Sequence, residues 1–163
     1  MSRLSHLGLA IVMSLVGFGC TGSSTPTAVG AVENDAILLM DANGLIVEQN
    51  SNADGQYIRI QNYTSNADGY VMKEGEYFIE VLSGGQAPDE SGFKTEFTTT
   101  EPVELFGKQI LYGKERQPVG DSPKLGIGYL KTTGTRTEIR VLADTASGIE
   151  AGTSLVSQIR FKD

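Results

Sequence analysis

From Glu33 onward, the sequence consists of short runs in which apolar and polar residues alternate, separated by clusters of Gly, Asn and Asp. Because successive side chains of a strand point to opposite faces, each run predicts a β-strand that is buried on one side. Residues 136–143 follow the pattern most regularly: Ile139 and Val141 are expected to point inward, and Glu138 and Arg140 outward. No run shows a sustained helical period. The pattern therefore predicts an all-β fold, a small antiparallel β-sandwich or barrel.

The predicted strands either alternate in this way or are short apolar runs bounded by turn residues. They cover residues 36–40, 45–49, 56–62, 76–82, 93–99, 109–112, 125–130, 136–143 and 154–161. Residues 132–135, which read TTGT, predict a hairpin turn between two of the clearest strands. Gly126 and Gly128 lie on one side of a strand, where glycine relieves crowding or allows a bend.

The N-terminal segment has the pattern of an export signal. A short polar start carrying Arg3 is followed by an apolar run over residues 7–18. That run is too short for a membrane-spanning helix, which needs about 20 residues. A basic start with a short apolar run is typical of a secretory signal, so residues 1–19 are predicted to be a signal peptide.

Gly19-Cys20 follows the apolar run directly, and here the chain resembles bacterial lipoprotein precursors. The family usually has Leu three residues before the cysteine, whereas this chain has Gly17. The resemblance implies lipidation of Cys20 and attachment to the cell envelope through that anchor. Thr21 after the cysteine implies the outer membrane rather than the inner one. The alternative is ordinary secretion with cleavage after Ala31 and an incidental cysteine.

The rest of the chain divides by composition. Residues 20–32 are rich in Ser, Thr, Gly and Ala, which predicts a flexible tether behind the lipidated cysteine. Residues 33–163 are expected to form the β-domain, with two sub-parts split near residue 100 as the alternative. A chain of this length accommodates one ordinary domain or two very small ones.

Charge and rare residues exclude several functions. A net charge of −7 repels phosphate backbones, so no nucleic-acid partner is expected. The single histidine, His6, lies in the predicted signal peptide, and Cys20 is the single cysteine. The processed chain would therefore lack Ser–His and Cys–His catalysis and His/Cys metal sites. We expect no enzyme and no cofactor, although a hydrolase built from two carboxylates leaves no trace in a sequence.

A calcium loop is the alternative interpretation of the first Asn/Asp cluster. Asn50, Asn52, Asp54 and the glycine that follows occupy the first, third, fifth and sixth places of such a loop. The twelfth place, normally Glu, is Gln61, and the ligand charge is low. Residues 51–55 recur as residues 65–69, and Asn, Asp and Gly also favour plain turns. Plain β-turns are therefore the preferred prediction, with no metal bound.

The C-terminal part is similar in pattern to small β-barrel domains that end some envelope and flagellar-assembly proteins. The similarity covers residues 107–156 and rests on a glycine-rich Leu-Gly-Ile-Gly-Tyr-Leu strand, an alternating strand and Ile149-Glu150-Ala151-Gly152. The family usually has Gly-Asp where this chain has Gly152-Thr153. The resemblance implies a domain that assembles with a protein partner and is not catalytic.

These observations favour a lipid-anchored envelope protein with a non-enzymatic interaction or assembly role, and another envelope protein as its partner. The alternative is a surface module that binds a glycan or small ligand. Its candidate binding face is Tyr57, Tyr70 and Tyr77, although the chain has no Trp on which sugars commonly stack. Clustered tyrosines would favour the second function, and scattered tyrosines the first.

Overall fold

The computed structural model describes residues 30–65, 70–116 and 123–162. Its elements are β1 (Val32–Glu33), β2 (Ile37–Leu39), β3 (Ile46–Asn52), β4 (Gly55–Gln61), β5 (Phe78–Gly84), α1 (Glu90–Glu96), β6 (Phe97–Leu105), β7 (Lys108–Arg116), β8 (Leu125–Lys131), β9 (Thr137–Ala143), α2 (Ala146–Val156) and β10 (Ile159–Phe161). The strands form a seven-stranded sheet, β3-β4-β5-β9-β8-β7-β6, and a three-stranded sheet, β1-β2-β10. All pairings are antiparallel. The predicted all-β sandwich class is confirmed.

The main core lies on one face of the seven-stranded sheet, which we call the inner face. Alternate residues of its central strands, including Ile79, Val81, Ile139 and Val141, are fully buried there. The three-stranded sheet and the end of α2 contribute the opposing side chains to the same cluster. The alternation in the sequence therefore predicted the inward set correctly, because burying one side of a strand requires an apolar residue at every second position.

Two segments predicted as strands begin as helices instead. The segment 93–99 starts inside α1, and the segment 154–161 starts inside α2. Both helices have N-caps: the Asp89 carboxylate accepts from Gly92 N at 2.7 Å, and the Thr145 hydroxyl accepts from Gly148 N at 3.1 Å. Capping satisfies backbone N–H groups that the first helical turn leaves unpaired. Both helices form although their sequences show no sustained apolar period. The prediction of strand at residues 93–96 and 154–156 was therefore wrong.

The two ends of the seven-stranded sheet carry different features. At one end, which we call the entry end, the register aligns the start of β8 with the end of β9, beside the start of β5 and the end of β4. The opposite end, which we call the hairpin end, carries the turns at residues 53–54, 106–107 and 132–136. The third of these turns joins β8 to β9, so the predicted hairpin at residues 132–135 is confirmed.

The described chain starts at the entry end. The carbonyl of Gly30 accepts from Ala42 N at 3.3 Å, and the carbonyl of Ala42 accepts from Leu45 N at 3.1 Å. Leu45 directly precedes β3, whose first residue, Ile46, pairs with Gln61 at the entry end. The predicted signal peptide, Cys20 and most of the predicted tether lie outside the described residues. Within residues 30–65, 70–116 and 123–162, no helix is both long and apolar enough to cross a membrane.

Candidate functional site

The β6–β7 hairpin ends in an unusual turn. Leu105 pairs with Lys108, so Phe106 and Gly107 form a two-residue connection. Both have positive φ, 53° at Phe106 and 71° at Gly107, which is the requirement of a type I′ turn. Asn, Asp or Gly normally fills the first of these positions, because a Cβ in the left-handed region crowds the backbone. Phe106 is the one non-glycine residue with positive φ in the described part of the chain.

Phe106 is also one of four large apolar residues that are exposed among the described residues, with 43% of its surface accessible. Its neighbours Val103 and Leu105 pack against the main core. Because β7 pairs with β8 only as far as Leu130, the turn projects past the end of β8. The hairpin end therefore displays a phenyl ring at its tip, held by two strands of nine residues each.

The free edge of β6 is not suited to receiving another strand. Residue pairs along two antiparallel strands alternate between hydrogen-bonded and non-hydrogen-bonded pairs. The pair Leu105–Lys108, which closes the two-residue hairpin, is a hydrogen-bonded pair. Pro102 and Leu111 lie three pairs further along the hairpin and therefore form a non-hydrogen-bonded pair. The nitrogen of Pro102 consequently faces the open edge of β6. Proline has no N–H to donate and blunts an edge against strand addition. The tip, rather than the edge, is the accessible feature of this hairpin.

The outer face of the sheet carries a buried charged cluster. Glu138 is fully buried, and its carboxylate lies 2.7 Å from the Arg140 guanidinium. Arg140 also lies 2.8 Å from the carboxylate of Glu96, the last residue of α1. The Oε1 atom of Glu138 accepts no hydrogen bond from any described residue. Burial raises the pKa of the Glu138 carboxyl to about 7, although the neighbouring Arg140 acts in the opposite direction.

Glu138 lies on the outer face of the sheet, as predicted, but this position is buried and not exposed to solvent. Its neighbours across the sheet are Leu82 on β5 and Leu130 on β8, and both are apolar. Beside them, the rings of Phe93 and Phe97 lie over Gly113 and Gly128. A Cβ on Gly128 would lie 2.5 Å from the Phe97 ring. The glycines thus let α1 approach the outer face, and the predicted relief of crowding at Gly128 is confirmed.

The three tyrosines proposed as a binding face do not come together. Tyr57 lies on the outer face, where its hydroxyl donates to Glu80 at 3.2 Å. Burial and the neighbouring Glu80 raise its pKa to about 12. Tyr77 is buried in the main core, with its ring beside Gly152 of α2.

Tyr70 belongs to a separate small cluster near the entry end. Its ring stacks on Tyr63 with 5.5 Å between centroids, and its hydroxyl donates to Glu76 at 2.6 Å. That hydrogen bond raises the pKa of Tyr70 to about 12. Because the three rings occupy separate places in the fold, they do not form one stacking surface.

The candidate calcium residues are arranged as a turn. Asn50 and Asn52 lie in β3, and Asp54 lies in the turn before β4. The side-chain oxygen of Asn52 accepts from Asp54 N at 2.9 Å and from Gly55 N at 3.1 Å. It is therefore used to cap the hairpin, as the plain-turn prediction required. Among the described residues, no three His, Cys, Asp or Glu side chains are grouped as metal ligands.

No family model, no curated protein and no solved structure matches this chain. The features that single out a site are therefore those of the chain itself. Phe106 was not predicted, because Phe-Gly between two strands differs from the Asn-Gly and Asp-Gly signals of tight hairpins. The sequence feature that could have revealed this turn is an aromatic residue followed by glycine, midway between two runs that can pair as strands.

Proposed function

We propose that this protein is an exported envelope lipoprotein, anchored through Cys20, whose β-sandwich binds another envelope protein. The observation that carries the interaction role is Phe106, exposed at the hairpin tip in a left-handed conformation. The anchor is supported by the apolar run at residues 7–18 and by Gly19-Cys20. The role is non-enzymatic and needs no cofactor.

Phe106 supports a binding role because it is unfavourable in the free protein. A left-handed conformation costs a non-glycine residue about 1–2 kcal/mol. The ring is also absent from the hydrophobic clusters of the described residues, and 43% of Phe106 is accessible to solvent. Backbone strain of this kind concentrates at functional sites, where another interaction compensates for it. Aromatic side chains supply much of the binding energy of protein interfaces when a partner's pocket covers them.

The partner is expected to contact side chains at the tip rather than extend the sheet. Pro102 blocks the middle of the β6 edge, which disfavours main-chain pairing with an incoming strand. Leu105 and Lys108 flank the tip and would form its rim. The separation of Tyr57, Tyr70 and Tyr77 supports this function over glycan binding, because a sugar site needs its aromatic residues on one surface.

Two variants test the proposal. Cys20→Ser should release the protein from the membrane fraction, since a lipid anchor needs the cysteine. Phe106→Asn should fold but lose a partner that wild-type protein retains in a pull-down from detergent-solubilised envelopes. Phe106→Tyr keeps an aromatic ring and is the matched control that should retain the partner. Membrane retention of Cys20→Ser contradicts the anchor, and equal recovery of one partner by all three proteins contradicts the site.

A further inference from the structure

The entry end of the domain exposes apolar side chains where the chain leads toward Cys20. Of the four large apolar residues that are exposed among the described residues, Met40, Val71 and Leu125 lie at this end, 66%, 57% and 39% accessible. Phe106 alone lies at the hairpin end. We propose that the entry end rests on the lipid surface that holds Cys20, so that Phe106 points away from the membrane. This inference depends on the lipid anchor proposed above.

The position of each residue follows from hydrogen bonds and register. Leu125 is the first residue of β8 and pairs with Ala143. Val71 precedes Met72, whose N–H donates to Asp144 Oδ2 at 2.8 Å just beyond β9. All of these residues lie at the entry end of the central strands.

Met40 reaches the same end from the smaller sheet. It follows β2 and starts the connection to Ala42, which is bonded both to Gly30 and to Leu45 at the start of β3. The three exposed side chains therefore belong to three separate loops or strand ends that meet one end of the sandwich. Three separated contacts can fix the orientation of a domain on a surface better than one contact can.

The length of chain between the anchor and the domain limits where a lipidated Cys20 can be. Gly30 lies ten positions after Cys20, and ten fully extended residue steps span at most ~35 Å. Gly30 is held at the entry end by its bond from Ala42. The hairpin end lies about 20 Å further away, the length of a seven-residue strand. Because the tether leaves the domain at the entry end, this end can rest on the bilayer without the chain running back along the sandwich, as contact through the hairpin end would require.

Two lysines at the entry end can reach a lipid headgroup layer. Lys73 and Lys124 are both exposed there. Long cationic side chains can place their charge among phosphates while their methylenes cover apolar surface. Of the acids at this end, Glu76 and Asp144 accept hydrogen bonds from backbone N–H groups, Glu74 accepts one from the Ser147 hydroxyl, and Asp41 is exposed beside Met40.

The absence of Trp from the sequence allows a clean test. Full-length lipidated protein with Leu125→Trp, Val71→Trp or Phe106→Trp is reconstituted into phosphatidylcholine–phosphatidylglycerol vesicles containing acyl-brominated lipid. Fluorescence of the first two variants should be quenched at least twofold more strongly than that of Phe106→Trp, the matched control at the opposite end. Equal quenching of all three, or stronger quenching at residue 106, overturns the proposal. Met40→Trp replaces either variant whose far-ultraviolet spectrum differs from wild type.

Mass spectrometry of the same protein separates this inference from the anchor on which it depends. If Cys20 carries no acyl chains, the anchor proposal itself fails and the orientation fails with it. If Cys20 is acylated and residues 71 and 125 are unquenched, the orientation fails while the anchor stands. In that case the entry end would be free to contact a protein instead. Acylation together with quenching confined to the entry end supports both.

Discussion

Replacing Glu138 by Gln should make the protein more stable at alkaline pH and change its stability much less at acidic pH. Burial raises the pKa of Glu138 from an ordinary value of 4.5 to about 7 in the folded state. Between these two values the folded protein holds a proton that the unfolded chain has released, so stability falls as the pH rises through this window. A pKa shift of this size lowers the unfolding free energy of the wild-type protein by about 3 kcal/mol once the pH is above both values.

Urea unfolding followed by far-ultraviolet circular dichroism at pH 5, 6, 7 and 8 measures this effect. The difference in unfolding free energy, Glu138→Gln minus wild type, should be about 1 kcal/mol at pH 5 and rise to about 3 kcal/mol at pH 8. Glu90→Gln is the control, because Glu90 is an exposed acid paired with Lys94 on α1. A pH-independent difference for Glu138→Gln would refute the buried-carboxyl account, as would the same profile for Glu90→Gln.

Three further variants test other parts of the structure by urea unfolding. Phe106→Asn should stabilise the protein by about 1 kcal/mol, because Asn-Gly suits the left-handed turn; a loss of stability would contradict the strain at this residue. Gly128→Ala should cost about 1–3 kcal/mol by crowding the rings above it, whereas Gly30→Ala, which meets no atom within 4 Å, should be neutral. Arg140→Ala should cost more at pH 8, where the ionised Glu138 loses its partner, than at pH 5, where Glu138 is protonated, and adding Glu138→Gln should remove this difference, because the remaining side chain is neutral.

The strands of the sandwich were largely predictable because their burial is one-sided. In β5 and β9, alternate residues such as Ile79 and Val141 face the core, and a period of two is visible in the sequence. The helices were not predictable in the same way. Phe93 and Phe97 lie four positions apart and bury their rings on glycines of β7 and β8, which are distant in the sequence. A helical period cannot be recognised here, because α1 contributes only Phe93 and the next ring, Phe97, already belongs to β6.

The two features that define the candidate sites depend on tertiary structure. Glu138 occupies a polar position of an alternating strand, and only the residues packed over the outer face make it buried. In the sequence, Phe106 resembles an apolar residue at the end of a strand. Only the pairing of Leu105 with Lys108 shows that it lies in a turn. The predicted capping role of the Asn/Asp cluster, in contrast, is local and was found from the sequence alone.

A photo-crosslink from the hairpin tip tests the interaction role most directly. Phe106 is replaced by p-benzoylphenylalanine, which preserves the aromatic ring, and intact cells that produce the protein are irradiated. Thr133, exposed in the neighbouring turn at the same end, carries the probe in the control. The proposed function predicts one dominant protein adduct from residue 106 that is weak or absent from residue 133. No adduct from residue 106, or the same diffuse set of adducts from both positions, would contradict it.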